Sequence, residues 1–265
     1  MSAYGAITRT GPSSTTVTES SASLPSSLWP TRNPAIKLSI HQIPNLVSVQ
    51  ALSSDSEGGT LLEHLRSTFA STVEDGRTYP QEDVSGFRGE GTAFESYFFA
   101  ADVFVGVLED AESLPTLGPE IEGMEGRLIE AGGVTAPGAL LEAARNGRTW
   151  KEAVAGFYYV KPNYPGRSSH ICNGGFVVSP TQRGLSLGST LGKSYLYYAP
   201  CLGFKASVFN LVYVNNGASV RIWDQLGFTR AGLIPKAGRL RCEGERGERG
   251  EEEYVDAIVF YKSFE

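Results

Sequence analysis

Apolar and polar positions alternate in short blocks along most of this chain. Positions 36–40 alternate as a half-buried strand does, and Pro44 ends it. Leu61, Leu62, Leu65 and Phe69 then recur at helical spacing until Asp75-Gly76 stops the helix. Residues 97–108 (YFFAADVFVGVL) read as one long buried strand with a lone Asp102, its aromatic start being either core or pocket wall. Residues 153–161 read as another strand. Pro162-Asn163-Tyr164-Pro165-Gly166 turns the chain into Ile171–Val178, giving a hairpin whose second arm carries Gly174 and Gly175 and is predicted to bulge there.

Past Pro180 the period changes. A Gly-rich turn opens a helix with apolar positions at Leu187, Leu191, Tyr195 and Tyr198, and Leu202-Gly203 closes it. Residues 207–214 form a buried strand interrupted by one polar side chain, Asn210, which needs a partner if it is buried. After Asn215-Asn216-Gly217 come a short helix over 219–226, a strand through Ile234 and a last strand over 254–261. This order predicts an α/β fold with one mixed central sheet and flanking helices.

Three stretches break the pattern. Residues 1–35 are rich in Ser and Thr without apolar periodicity and read as a flexible tail. Residues 109–148 shift to Gly, Pro and Glu with one helical piece at 140–145; they read as an insertion serving as a lid or a subunit contact. Residues 239–253 (EGERGERGEEE within them) read as a solvated mixed-charge loop. The remainder, 36–265, is expected to form a single domain.

At 265 residues, 41% hydrophobic and 20% charged, the composition is that of an ordinary globular chain with one sizeable core. A balance of 23 basic to 29 acidic residues argues against non-specific nucleic-acid binding. Cys172, Cys201 and Cys242 are too scattered for a disulfide framework, so a reducing compartment is expected. His170-x-Cys172 lacks a second pair at zinc spacing, so no metal is expected. No long apolar run or signal-like start is present, and two arginines without an amphipathic face make a poor transit peptide; the expectation is a cytoplasmic protein without a membrane span.

The chemistry concentrates where the strand Ile171–Val178 feeds the turn before Leu187. A Gly-rich turn at a helix N-terminus collects unpaired N–H groups and the positive end of the helix dipole, which favours phosphate oxygens. The run LGSTLGKS over 187–194 imitates a nucleoside-triphosphate loop but has Leu187 where that motif needs Gly. The dinucleotide-binding G-x-G-x-x-G is absent as well. A plain tight turn remains an alternative for the glycines alone.

Arg183-x-x-Ser186-x-Gly188 resembles the pyrophosphate loop of the GNAT N-acetyltransferases, with Ser186 where the first Gly usually stands. Asn216-x-x-Ser219-x-x-x-Trp223-x-x-Leu226-Gly227-Phe228 resembles that family's second signature. Segments 74–80, 157–164, 170–176, 209–212, 222–224 and 255–258 are similar to the fungal GNAT enzymes that acetylate proline analogues such as azetidine-2-carboxylate.

The resemblance implies a GNAT fold in which the strands before and after the phosphate-loop helix splay apart around acetyl-CoA. Phe176, Val177 and Val178 would pair with the pantetheine arm, and Arg183, Gly184, Leu185, Ser186, Leu187, Gly188 and Ser189 would hold the pyrophosphate. Asn216 and Trp223 would complete the cofactor site. It assigns Asn173 and Asn210 to the substrate and to catalysis, and it implies a homodimer, with the final strands or the insertion at the contact. Trp223 replaces the usual thiolate-protonating Tyr, and an indole N–H is no practical acid near neutrality. The expected activity is acetylation of a small amine or imino acid, in the manner of a detoxifying enzyme. Two alternatives are a protein or histone acetyltransferase and a silent acyl-CoA-binding module.

Overall fold

A computed structural model of the chain describes residues 23–43, 45–88, 93–110, 114–133, 138–243 and 249–265. Its strands are β1 (Ser27–Pro30), β2 (Ile36–Ile43), β3 (Asp102–Asp110), β4 (Leu117–Glu120), β5 (Arg127–Ile129), β6 (Val154–Pro162), β7 (Ile171–Val178), β8 (Ala206–Tyr213), β9 (Thr229–Glu243) and β10 (Arg249–Ser263). The helices are α1 (Leu46–Gln50), α2 (Leu61–Asp75), α3 (Ala93–Phe98), α4 (Ala139–Arg145), α5 (Trp150–Ala153), α6 (Leu187–Cys201) and α7 (Gly217–Gln225). The strands join in one sheet of order β4-β5-β1-β2-β3-β6-β7-β8-β10-β9. The pairs are antiparallel except β7 with β8, as the α/β expectation of a mixed sheet requires.

Helices cover both faces, which is why the middle strands read as continuous apolar runs. In β6, Phe157 and Tyr159 point to the layer of α1–α5, while Tyr158 and Val160 point to the layer of α6 and α7. Leu187, Leu191, Tyr195 and Tyr198, the predicted apolar face of α6, are all buried in the second layer. Each such buried side chain contributes about 1.5–3 kcal/mol. The α2 helix begins at a Thr60/Glu63 capping box and ends at Gly76 in the left-handed region (φ 72°), where a Cβ would be strained.

Four expectations about where elements begin and end need correction. The tail is shorter than 1–35: residues 27–30 form β1, between β2 and β5, and Trp29 is completely buried with its Nε1 donating to Ser27 Oγ at 2.7 Å. A four-residue strand, with Leu28 and Trp29 between Ser27 and Pro30, is too short to leave a periodic signal. Most of the tail, residues 1–22, lies outside the described residues.

The stretch 97–108 is not one strand. Tyr97 and Phe98 end α3, and β3 starts only at Asp102, because the aromatic residues pack as a helical ridge on Phe69 and Tyr159.

The insertion 109–148 builds sheet. Its first residues complete β3, β4 and β5 extend the edge beyond β1, and Ile121 and Ile129 are buried. The 239–253 stretch forms the arms of the β9–β10 hairpin, with residues 244–248 outside the described residues. Alternating charge suits paired strands: Arg239 Nε meets Glu252 at 3.0 Å, and Arg241 Nη1 donates to the Glu74 carbonyl at 2.7 Å.

Candidate active site

The parallel contact between β7 and β8 is only two residue pairs long, Ile171↔Ala206 and Cys172↔Ser207. Beyond it the strands diverge. Tyr195 of α6 secures the junction from below, its hydroxyl 2.7 Å from Ser207 Oγ and 3.0 Å from Cys172 Sγ. Burial pushes the Cys172 thiol up to about 12, so it stays a neutral partner in this cluster.

The gap opens into a cleft of about 2050 Å³. One end is lined by Arg183, Gly184, Ser186, Leu187, Gly188 and Ser189. The other end is lined by Asn173, Asn210, Tyr79, Tyr97, Tyr159 and Lys161. Phe176, Val178, Asn216 and Trp223 line the stretch between. Val177, although its backbone borders the cleft, turns its side chain into the core under α2, and Leu185 packs at the margin of the opposite core.

The expected bulge at Gly174-Gly175 is absent, since β6 and β7 keep register from Gly156↔Val178 to Pro162↔Cys172. The glycines answer to packing instead. A Cβ on Gly175 would sit 2.5 Å from the Tyr159 ring, and one on Gly174 would sit 2.9 Å from Tyr195. The β7 edge that faces β8 is therefore a regular strand edge, free from Asn173 onward to accept another extended chain.

The turn before α6 fits a diphosphate. Among the described residues, the N–H groups of Arg183 through Gly188 reach no backbone carbonyl, and they precede the positive end of a 15-residue helix. Gly184 has φ 86°, and Ser186, the N-cap, has φ 59° with no capping bond from its side chain. Ser186 therefore holds a left-handed conformation natural to glycine, which explains why the family's motif has Gly there.

Asn210 is not free-standing. Its Nδ2 donates to Asn163 Oδ1 at 2.7 Å, and its Oδ1 accepts from Asn163 Nδ2 at 3.2 Å. Asn163, buried at the end of β6, thus fixes the plane of the Asn210 amide. Asn173 lies across the cleft mouth on β7, and its side chain makes no hydrogen bond among the described residues. Trp223 Nε1 donates to Ser219 Oγ at 3.0 Å, so its only polar hydrogen is already used. Asn216 Oδ1 accepts from the Ser219 N–H at 3.1 Å and caps α7. His170 is exposed, with its Nδ1 3.2 Å from the Arg167 carbonyl, and it does not line the cleft.

Sequence reasoning passes over Asn163, Lys161 and the tyrosines that line the cleft beside Asn173 and Asn210. Asn163 sits in a segment read only as a turn. Lys161 carried a usable signal, as the lone cation in a strand that is otherwise apolar from Val154 to Pro162.

A model of the acetyltransferase (GNAT) family matches residues 108–228. The N-acetyltransferase aca1 of Schizosaccharomyces pombe is 41% identical over 192 residues, covering 72% of this chain and 75% of that protein. Protein SPT10 of Saccharomyces cerevisiae is 36% identical over 115 residues, which are 43% of this chain and 17% of that protein. A GCN5-related N-acetyltransferase from Kribbella flavida shares the fold, with a TM-score of 0.50 at 19% identity over 84% of this chain and 97% of its own. With the split strands and the open turn before α6, these likenesses identify the chain as a member of the GNAT family, an N-acetyltransferase that takes its acetyl group from acetyl-CoA.

Proposed function

We propose that the acceptor is a small amine or imino acid, with proline-like imino acids such as azetidine-2-carboxylate as first choice. The observation that carries this reading is the placement of Asn173 and Asn210 on the two parting strands, both lining one cleft with the phosphate turn. Acetyl-CoA supplies an activated acetyl thioester. The amides orient the neutral nitrogen and polarise the acetyl carbonyl without titrating themselves. The departing proton passes to water in the cleft, since His170 faces away, and the thiolate is protonated by water because Trp223 is no acid.

The chain acts as a homodimer in the cytoplasm in this reading, a setting that its three unpaired cysteines support. Thiol release from acetyl-CoA over a panel of azetidine-2-carboxylate, proline, simple amines and a histone peptide tests the substrate class. Either Asn173→Ala or Asn210→Ala should lower kcat about 10- to 1000-fold on the best imino acid. Turnover of the peptide alone, or two alanine variants with unchanged kcat/KM, would overturn the reading in favour of a protein substrate.

A further inference from the structure

The wall of the cleft contains a cation without an anion. Lys161 Nζ lies 4.2 Å from the ring centroid of Tyr97 and 4.1 Å from that of Tyr159, and it donates to the Tyr97 carbonyl oxygen at 3.3 Å. The two rings come from α3 and β6, so the ammonium is held in one place by separate elements. Among the described residues no carboxylate reaches it. Asp75, on the same cleft, is bonded to Arg77 at 3.0 Å, Glu125 is held by Lys193, and Glu253 is exposed on β10. The titratable groups packed nearby are the phenols of Tyr79, Tyr97 and Tyr159, whose ionisation burial pushes upward, so they remain neutral.

A partly buried cation without a counter-charge is unfavourable, and burial draws the Lys161 ammonium down to about 8. Two ring faces offset part of that cost. The Tyr79 hydroxyl on the same cleft is buried and has no hydrogen-bond partner among the described residues. A cation without a counter-charge and a phenol without a bond, both built into a cavity wall, point to an anionic, hydrogen-bond-accepting group on the ligand.

The position relative to the amides narrows that ligand. Lys161 is the register partner of Asn173, and directly opposed residues of an antiparallel pair project side by side from one face. Asn163, two residues on, shares that face by alternation and holds Asn210. We propose that Lys161 binds the carboxylate of the acceptor, so that the site selects amino or imino acids whose acid group stands one carbon from the reacting nitrogen. This rests on the small-amine reading above and gives it a charge requirement.

The test compares azetidine-2-carboxylate with azetidine-2-carboxamide, which differ in the acid group, on the parent, Lys161→Met and Lys161→Arg. The Met variant should raise KM for the acid at least about 30-fold, the size of a lost buried ion pair, with kcat little changed and KM for the amide unmoved. The Arg variant should recover part of the loss. In the parent, KM for the acid should climb as pH passes 8 and the ammonium discharges, a rise that the Met variant lacks. Equal KM increases for acid and amide would mean a packing role, and a matching fall in kcat on both would mean that Lys161 takes the proton; either result overturns the proposal. If the parent turns over neither compound, the small-amine reading fails, and calorimetry with azetidine-2-carboxylate then decides the site. Binding to the parent that Lys161→Met abolishes supports it, and absence of binding to both refutes it.

Discussion

Asn163→Ala should damage catalysis without touching the cofactor. The wild-type Asn163 gives the Asn210 amide two bonds, at 2.7 and 3.2 Å, while the Tyr164 hydroxyl at 3.5 Å sits at the limit of a hydrogen bond and cannot replace them. Each amide–amide bond is worth about 1 kcal/mol net, so releasing Asn210 costs about 2 kcal/mol of orientation. If that orientation is needed in the transition state, kcat falls about 30-fold, since 1.36 kcal/mol is a factor of about ten. The KM for acetyl-CoA should not move, because the phosphate turn lies at the other end of the cleft. Steady-state thiol release on the single and double variants with Asn210→Ala closes a thermodynamic cycle. In the Asn210→Ala background, Asn163→Ala should add almost nothing, since the group it orients is gone. Full additivity of the two losses, or a kcat for Asn163→Ala within twofold of the parent, would refute the positioning role.

Further outcomes are expected elsewhere. Gly188→Glu brings a carboxylate and a side chain into the phosphate turn, 3.2 Å from Ile222 at its Cβ, and should abolish acetyl-CoA binding by calorimetry; unchanged binding would remove the turn from the cofactor site. Ser186→Gly should raise stability by about 1 kcal/mol in denaturant titration by relieving a left-handed non-glycine residue. Trp29→Ala should cost about 3–5 kcal/mol, and a chain starting at Asn33 should melt far below one starting at Ser23, which an unchanged melting temperature would contradict. His41 is fully buried between Ser26 and Ser39 with burial drawing its pKa down to about 3, so the unfolded chain binds the extra proton and stability falls as pH drops from about 6.5 toward 3. A His41→Gln variant whose acid unfolding matched the parent would dispose of that assignment.

The parts of the fold readable from sequence are those where one residue period runs long enough to repeat. The α6 face of Leu187, Leu191, Tyr195 and Tyr198 and the strands on either side of it meet that condition, and the turn with unpaired N–H groups follows from their junction. Trp29 fails it because β1 is four residues long and its burial depends in part on β5, which comes from distant sequence. Tyr97 and Phe98 mislead because an aromatic run serves equally as a helical ridge or a strand. The β9–β10 arms were hidden because charged side chains that look solvated singly become complementary only when paired across strands. At the site, the two asparagines come from motif resemblance. Asn163 becomes visible only through the reciprocal amide pair, and the lone cation Lys161, conspicuous in its apolar strand, gains its place beside Asn173 only through the β6–β7 register; neither is a local property.

The short β7–β8 contact has a mechanical consequence. The sheet consists of two plates, one ending at β7 and the other formed by β8, β10 and β9, joined by a seam of two residue pairs and by the packing of α6 and α7. An extended pantetheine arm lying on the free β7 edge would act as a removable strand that rivets the plates together. Occupancy then adds to the cohesion of the C-terminal plate by RT ln(1 + [L]/Kd), about 2.7 kcal/mol at a hundredfold excess over Kd. Amide exchange in β8 and β10 should slow with acetyl-CoA far more than in β2 and β3, so the cofactor pool would set how tightly this half of the protein is held closed.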